Sequence, residues 1–235
     1  MQLTEKHIED LMLFTKKHYV PYYDLQMELV DHLANDIEEL INANPRLSYE
    51  EAKRIAFKKF GVFGFQETIE AKRKALNKRY FKLFLSTFLN YFTIPKIIVS
   101  VSFFVLFYFT LHTFSTYLKV IFYLANAGII FYGLYHSTVY HYKLKRKNKE
   151  TGKKWLFETM TDILFAIIMS CNLIIQLTQL FFIKQLNASF HSSKSLFIFS
   201  LFTTTLFLVI HIASVILPKK ISLIMQKEYP NYKPV

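Results

Sequence analysis

The chain has 235 residues, 52% of them hydrophobic, with a formal net charge of +12. Beyond about residue 85 the apolar residues form long uncharged runs separated by short basic segments, which excludes a single large soluble core. The one cysteine, Cys171, lies in an apolar run, so a disulfide framework and a cysteine-based zinc cluster are excluded. Because the positive charges cluster beside the apolar runs, where anionic lipid accounts for them, we expect no nucleic-acid partner.

The first 85 residues mix charged and apolar residues as a soluble helical domain does, without strand-like alternation. Ser48 and Glu51 form a capping box, a typical helix start, and Gly61 is placed to end that helix. Helix-start and helix-stop signals predict four helices, at about Thr4–His18, Tyr22–Ala43 and Ser48–Gly61, and from Gln66 toward the membrane.

The second predicted helix has an apolar side and an acidic side. Glu28, His32 and Asp36 recur at every fourth position, which aligns them along one edge. That edge can face solvent or a partner, bind a divalent metal, or take part in catalysis. One exposed helix without a second nearby histidine offers no closed metal shell, so we predict no metal, cofactor or catalytic residue. The residues predicted to bind a protein partner are Glu28, Asp31, His32, Asp36 and Glu39.

Acids and bases are segregated along this domain. Residues 24–51 contain eight acids and one base, whereas residues 72–82 contain six bases and no acid. The bases predicted to bind anionic lipid headgroups are Lys72, Arg73, Lys74, Lys78, Arg79 and Lys82. The acidic helix is then free to bind a basic partner. In the other interpretation, the acids and bases neutralise each other within the folded domain.

Residues 20–80 resemble the small helical domains called HAAS or permease-prefix domains. The resemblance rests on the E-L-x-D-H-L helix, on E-E-A opening the next helix and on K-F-G ending it. It implies a cytoplasmic regulatory or signalling module of a bacterial membrane protein, with a transcriptional regulator or a transport permease as partner, and not an enzyme. The residues that correspond to the family signature are Glu28, Asp31, His32 and the Phe60-Gly61 turn.

Four apolar runs are long enough to cross a membrane, which takes about 20 helical residues. They are approximately Ile97–Phe114, Val120–Tyr142, Ile163–Ile183 and Leu196–Leu217. The loop at residues 143–154 carries seven Lys or Arg residues against one Glu. The positive-inside rule therefore predicts that this loop and both termini face the cytoplasm, in a multi-pass protein of the bacterial inner membrane.

The predicted fold is all-α, a cytoplasmic helical domain followed by a four-helix transmembrane bundle. Its predicted parts are a helical domain at 1–85, a basic juxtamembrane connection at 86–96, the bundle at 97–217 and a cytoplasmic tail at 218–235. We expect the tail to be an interfacial strip followed by a loose end.

Polar side chains within the spans are candidates for a functional seam. They are Asn126, Asn172, Gln176, Gln179 and His211. Such a seam can carry a proton or small solute, or it can consist of hydrogen bonds between helices. Glu158 and Asp162, one turn apart after Trp155, have two interpretations: chemistry on a lipid headgroup with a metal, or ion pairs with nearby Lys and Arg residues. In the second, Trp155 anchors the chain at the membrane interface.

The function predicted from the sequence is that of an integral membrane protein with a cytoplasmic, protein-binding regulatory domain. The alternative is a small transporter or permease-associated subunit that uses the polar seam. An enzyme acting on a lipid ranks third. Membrane lipids and a protein are the expected partners, and self-association into a homo-oligomer is left open.

Overall fold

The computed structural model describes residues 3–161, 166, 169–170, 173 and 193–234. Within these residues the fold is all-α, without a strand, as the sequence predicts. The helices are α1 (Glu5–Lys17), α2 (Tyr23–Ala43), α3 (Tyr49–Lys58), α4 (Gln66–Leu89), α5 (Lys96–Thr113), α6 (Leu118–Thr151), α7 (Ser193–His211) and α8 (Leu217–Glu228). A π-helical turn, Ile212–Ile216, joins α7 to α8, and residues 156–161 are helical.

The chain divides into two compact units. The N-terminal unit consists of Met1–Lys78 and Asn148–Phe157, and the C-terminal unit consists of Arg79–Lys147 and Glu158–Val235. The ten residues Asn148–Phe157, here called the inserted segment, therefore belong to the N-terminal unit although the sequence assigns that unit only residues before 86.

The capping signals in the N-terminal unit act as predicted. Ser48 Oγ accepts the N–H of Glu51 at 3.3 Å, and the Glu51 carboxylate accepts the N–H of Ser48 at 3.1 Å. This pair satisfies two of the amide donors that a helix start leaves free. After α3, Gly61 adopts a φ of 74°, a left-handed conformation that glycine tolerates without strain.

The core of the N-terminal unit lies along the apolar stripe of α2. Leu29, Leu33 and Ile37 are fully buried there, and α2 packs against both α1 and α3. A polar contact also joins α1 to α3, because Lys53 Nζ lies 2.7 Å from the Asp10 carboxylate. The stripe has the 3.6-residue period that predicts a helix with one face against its neighbours.

Three described helical stretches are long and apolar enough to cross a membrane. They are Lys96–Thr113, Ser115–Thr151 and Ser193–Glu228, so the first, second and fourth predicted spans are confirmed as helices that could cross a membrane. Large apolar side chains on them are exposed, for example Leu106 at 67% and Phe131 at 71%. Such exposure is expected where lipid takes the place of water. Most of the third predicted span, Ile163–Ile183, lies outside the described residues.

The tail differs from the prediction of a strip with a loose end. The helix continues through α8 to Glu228, and Ile221 and Met225 are buried. Beyond α8, Tyr232 is only 6% exposed, and its hydroxyl lies 2.5 Å from a carboxylate oxygen of Glu158. The sequence does not reveal this contact, because it depends on an acid 74 residues earlier in the chain.

Candidate functional site

The inserted segment is fixed to the start of α2 by backbone hydrogen bonds. The N–H of Tyr23 donates to the carbonyl of Lys154 at 2.7 Å. The N–H of Leu156 donates to both oxygens of the Asp24 carboxylate, at 3.1 and 3.2 Å. Trp155 lies between these two contacts, only 2% exposed, and its ring meets the ring of Tyr23 edge-on. Trp155 is therefore a core residue of the N-terminal unit, and the prediction that it anchors the membrane interface is wrong.

Asp24 acts as a cap for a helix start far away in the sequence. Leu156 begins the helical turns at 156–161, where the first amide donors have no partner within the helix. The Asp24 side chain supplies that acceptor from a position 132 residues earlier. Burial raises the pKa of the Asp24 carboxyl, and the backbone N–H donors around it, including that of Leu156, oppose this effect. Asp24 is thus a buried acid whose polar partners are mainly backbone groups.

A second polar cluster lies in the C-terminal unit, at the residues that flank the inserted segment. Lys147 Nζ lies 2.6 Å from Glu158 Oε1, and the hydroxyl of Tyr232 donates to the same oxygen at 2.5 Å. Lys147 Nζ also lies 3.9 Å from the centroid of the Tyr232 ring, a cation–π distance. We call these three residues the buried triad. The triad supports the interpretation in which Glu158 pairs with a basic side chain of the neighbouring segment. Asp162 lies outside the described residues.

The buried triad has the electrostatics of a structural clamp. The side chains of Lys147 and Glu158 are 8% and 1% exposed, so each charge compensates the other in a buried environment. Burial, followed by the hydrogen bond to Glu158, raises the pKa of the Tyr232 hydroxyl, which keeps it a proton donor at neutral pH. Glu158 Oε2 is buried and accepts no hydrogen bond from the described part of the chain. Glu158 Oε1 thus binds both Lys147, near the end of α6, and Tyr232, in the C-terminal tail.

The predicted acidic edge of α2 is divided by the structure into paired and exposed residues. Glu28 forms an ion pair with Lys72, and Asp36 forms one with Lys59 at 2.7 Å. The residues of the edge that are exposed and form no ion pair in the described part of the chain are Asp31, His32 and Glu39. The described residues also contain no group of three potential metal ligands. The two ion pairs support neutralisation within the domain for part of the edge.

The predicted lipid-binding bases are divided in a similar way. Lys72 forms an ion pair with Glu28 within the N-terminal unit, and Arg79 forms one with Glu228 within the C-terminal unit. The Glu228 carboxylate raises the pKa of Arg79 further above its usual range. The bases of this group that are exposed and form no ion pair within the described residues are Arg73, Lys74, Lys78 and Lys82. Binding of lipid headgroups by these four residues stays a prediction.

Two residues of the predicted intramembrane seam lie beside one cavity. Asn126 is 2% exposed; its amide donates to the carbonyl of Phe122 at 2.7 Å and lies 3.5 Å from the hydroxyl of Thr203. The ring nitrogen Nδ1 of His211 lies 2.8 Å from the hydroxyl of Tyr132. Thr203 and Tyr132 both line an apolar cavity of about 280 Å³. The remaining members of the predicted seam lie outside the described residues: Asn172, Gln176 and Gln179.

Sequence reasoning missed Asp24, Lys147 and Tyr232 as functional candidates. Asp24 and Lys147 were visible only as members of an acidic and a basic stretch, since charge alone does not show which side chains become buried. For Tyr232, no local signal marks the contact with Glu158. One signal was available: Trp155-Leu156-Phe157 is an apolar triplet that directly follows a strongly basic loop, and such a triplet predicts a docked segment.

Comparison with known proteins places no further constraint on this site. No protein-family model, curated protein or solved structure matches the chain. The resemblance of residues 20–80 to HAAS or permease-prefix domains therefore stays a prediction, and any functional conclusion rests on the residues and their geometry.

Proposed function

We propose that this chain is a membrane-anchored regulatory protein whose N-terminal unit binds a basic protein partner. Partner binding at α2 changes the strength of the contacts between α2 and the inserted segment. Through that segment, partner binding acts on the membrane spans. By the family resemblance, the partner is a transcriptional regulator or a transport permease. The membrane is the bacterial cytoplasmic membrane, with both termini on the cytoplasmic side.

The proposed location is supported by the spans and by the charge between them. Three described stretches are long and apolar enough to cross a bilayer. Residues 143–154, which follow the apolar run of α6, carry seven Lys or Arg residues against one Glu. Basic loops of this length are retained on the cytoplasmic side of bacterial membranes. The N-terminal unit includes the last seven residues of this loop, which supports a cytoplasmic position for that unit as well.

The single observation that carries the regulatory proposal is the double role of α2. Its first turn holds the inserted segment through Tyr23 and Asp24. Two to four turns later, the same helix presents the exposed residues Asp31, His32 and Glu39. A partner that shifts or rigidifies α2 therefore also changes the free energy of the contacts with the inserted segment. That segment continues directly into α6 on one side and into Glu158 on the other.

The partner's chemistry follows from the exposed side chains. Asp31 and Glu39 are two exposed carboxylates that form no ion pair with any residue the structure describes, and His32 lies on the same exposed side of α2. Carboxylates that form no ion pair within the protein attract a surface rich in Lys or Arg, mainly by speeding encounter and setting orientation. Glu28 and Asp36 contribute less to such a surface, because each already has a lysine partner.

The proposal is tested by site-specific crosslinking of the full chain in its own host. A photoreactive residue at position 32 should capture a defined basic protein, whereas one at position 5, on exposed α1, should not. The purified partner should then bind wild type but bind D31N/E39Q about tenfold more weakly, a loss typical of two rim charges. Binding should also change the emission of Trp155, the only tryptophan of the chain.

The matched control is E5Q/E9Q, which removes two exposed acids from α1 of the same unit. It changes the net charge by the same amount and should leave binding unchanged. Equal weakening in both double variants would show that general charge attracts the partner, and not α2. Absence of any adduct from position 32 would count against the proposal as a whole.

A transport function is the second candidate, and the cavity beside the seam favours it. Asn126, Thr203, Tyr132 and His211 place polar groups in and next to about 280 Å³ of space inside the spans. Polar groups around an intramembrane cavity are typical of solute or proton pathways. They are also typical of hydrogen bonds between helices, which the Asn126–Thr203 contact resembles.

A further inference from the structure

A pocket in the C-terminal unit combines cationic and apolar walls. Its volume is about 440 Å³, and it is lined by the last turns of the apolar part of α6, by the π-helical turn and by α8. Its cationic or titratable side chains are His136 and Lys143 from α6 and Lys219 from α8. The apolar wall of the pocket includes Val139, Val215 and Leu223. The pocket is distinct from the buried triad and from the cavity beside the seam.

The charge of this pocket is not balanced by acidic side chains. None of the described lining residues is Asp or Glu. Lys143 and Lys219 are both exposed, and the ion pairs formed by the described residues include neither of them. Two unneutralised ammonium groups facing one pocket favour an anionic ligand.

The pocket lies at the depth where the polar headgroup of a membrane lipid would meet its acyl chains. The apolar run of α6 ends near Tyr142, and the basic loop begins at Lys143. This change marks the transition from the hydrocarbon core to the headgroup region. A ligand placed here meets Val139 and Val215, each one turn before a lysine, on the membrane side and the lysines on the water side.

The irregular helix opposite α6 contributes to the pocket wall. In the π-helical turn the N–H of Leu217 donates to the carbonyl of Ile212, five residues earlier. Pro218 follows, and it has no N–H to donate to the carbonyl four residues earlier. Both the turn, through Val215, and Pro218 line the pocket. Widened turns of this kind are frequent at functional sites.

We propose that this pocket binds one anionic glycerophospholipid from the leaflet next to the basic loop. Lys143 and Lys219 hold its phosphate, and an acyl chain lies along Val139 and Val215. The site differs from the exposed bases of α4, which would attract headgroups without enclosing a chain. The proposal requires the spans to lie in a bilayer, but it does not require the partner-binding function.

Native mass spectrometry of the full chain released from lipid nanodiscs tests this proposal. The nanodiscs contain zwitterionic phosphatidylcholine and anionic phosphatidylglycerol. Wild type should retain one phosphatidylglycerol, and K143Q/K219Q should bind it about tenfold more weakly, since each lysine contributes roughly a few-fold to the attraction of an anionic lipid. The variant V139W, which fills the apolar part and keeps both lysines, should lose the lipid as well.

The matched control is K145Q/K227Q, which removes two exposed lysines from α6 and α8 that do not line the pocket. Retention of the lipid by this control, together with its loss in K143Q/K219Q and V139W, establishes the site. Equal loss in both lysine pairs, or retention in all variants, overturns it. Displacement of the lipid by free glycerol 3-phosphate would also overturn it, because a small-anion site does not need an acyl chain.

Discussion

Lys147 and Glu158 form a buried ion pair, Nζ to Oε1 at 2.6 Å, at the two points where the chain leaves and re-enters the C-terminal unit. All ten residues between them belong to the N-terminal unit. The pair therefore closes the base of the inserted segment, and Asp24 holds Leu156, two residues before Glu158.

We expect E158Q and K147M to destabilise the protein by about 3–5 kcal/mol each, because either change removes the 2.6 Å ion pair between two buried side chains. The double variant K147M/E158L should recover most of that loss, since an apolar pair often replaces a buried ion pair at little cost. Thermal unfolding in detergent micelles, followed by the emission of Trp155, measures both effects. K145M, an exposed neighbour, is the control. Single variants as stable as wild type would show that the ion pair is not the clamp.

Asp24 should be essential for docking of the inserted segment through its acceptor oxygens and not through its charge. D24A removes the acceptor of the Leu156 N–H, which costs about 1–3 kcal/mol when a buried donor loses its partner. We expect Trp155 emission to move to longer wavelength and trypsin to cut after Lys153 or Lys154. D24N keeps an acceptor oxygen and should leave both readouts close to wild type. D31A, at an exposed position, should change neither.

The pH dependence of Asp24 has a defined sign. Burial raises its pKa in the folded protein above the ordinary 3.8, so the folded chain keeps this proton when the unfolded chain has lost it. Its contribution to stability is therefore fully present below pH 3.8 and is lost as pH rises through the raised pKa. The difference in free energy of unfolding between wild type and D24N should fall across that window. A difference that rises with pH would contradict the raised pKa.

The fold was predictable from the sequence wherever one local signal decided the structure. The capping box at Ser48 and the 3.6-residue period of α2 fixed those helices, and the apolar runs marked three described spans. Docking of the inserted segment was not predictable, because Asp24 and Leu156 are 132 positions apart. Their hydrogen bond depends on tertiary packing, and composition and periodicity carry no information about such packing. For the same reason the division of the acidic edge into paired and exposed residues appears only in the structure.

The Asp10–Lys53 pair that joins α1 to α3 should stabilise the N-terminal unit only above acidic pH. The hydrogen bond from Lys53 lowers the pKa of Asp10 and outweighs the opposite effect of burial. The contribution is thus present above pH 3.8 and lost as pH falls through the lowered pKa. D10N should be less stable than wild type at neutral pH, by under about 1 kcal/mol because Asp10 is partly exposed. Helical circular dichroism during heating at neutral and acidic pH measures this, and the two proteins should converge in acid. D31N should show no such convergence.

Substitution of Asn126 distinguishes the regulatory function from the transport alternative. Its Oδ1 is buried and accepts no hydrogen bond from the residues that the structure describes, so an apolar residue there removes an acceptor unsatisfied within them. We expect N126L to be as stable as wild type or up to about 1 kcal/mol more stable, and to bind the partner normally.

Proton flux into liposomes containing a pH-sensitive dye measures the transport alternative directly. Flux above that of empty liposomes, lost in N126L and H211F but kept in the exposed variant L106A, would make transport the better function. Stable N126L protein with intact partner binding and no flux in wild type would instead leave Asn126 a packing residue, because its one strong hydrogen bond stays within its own helix.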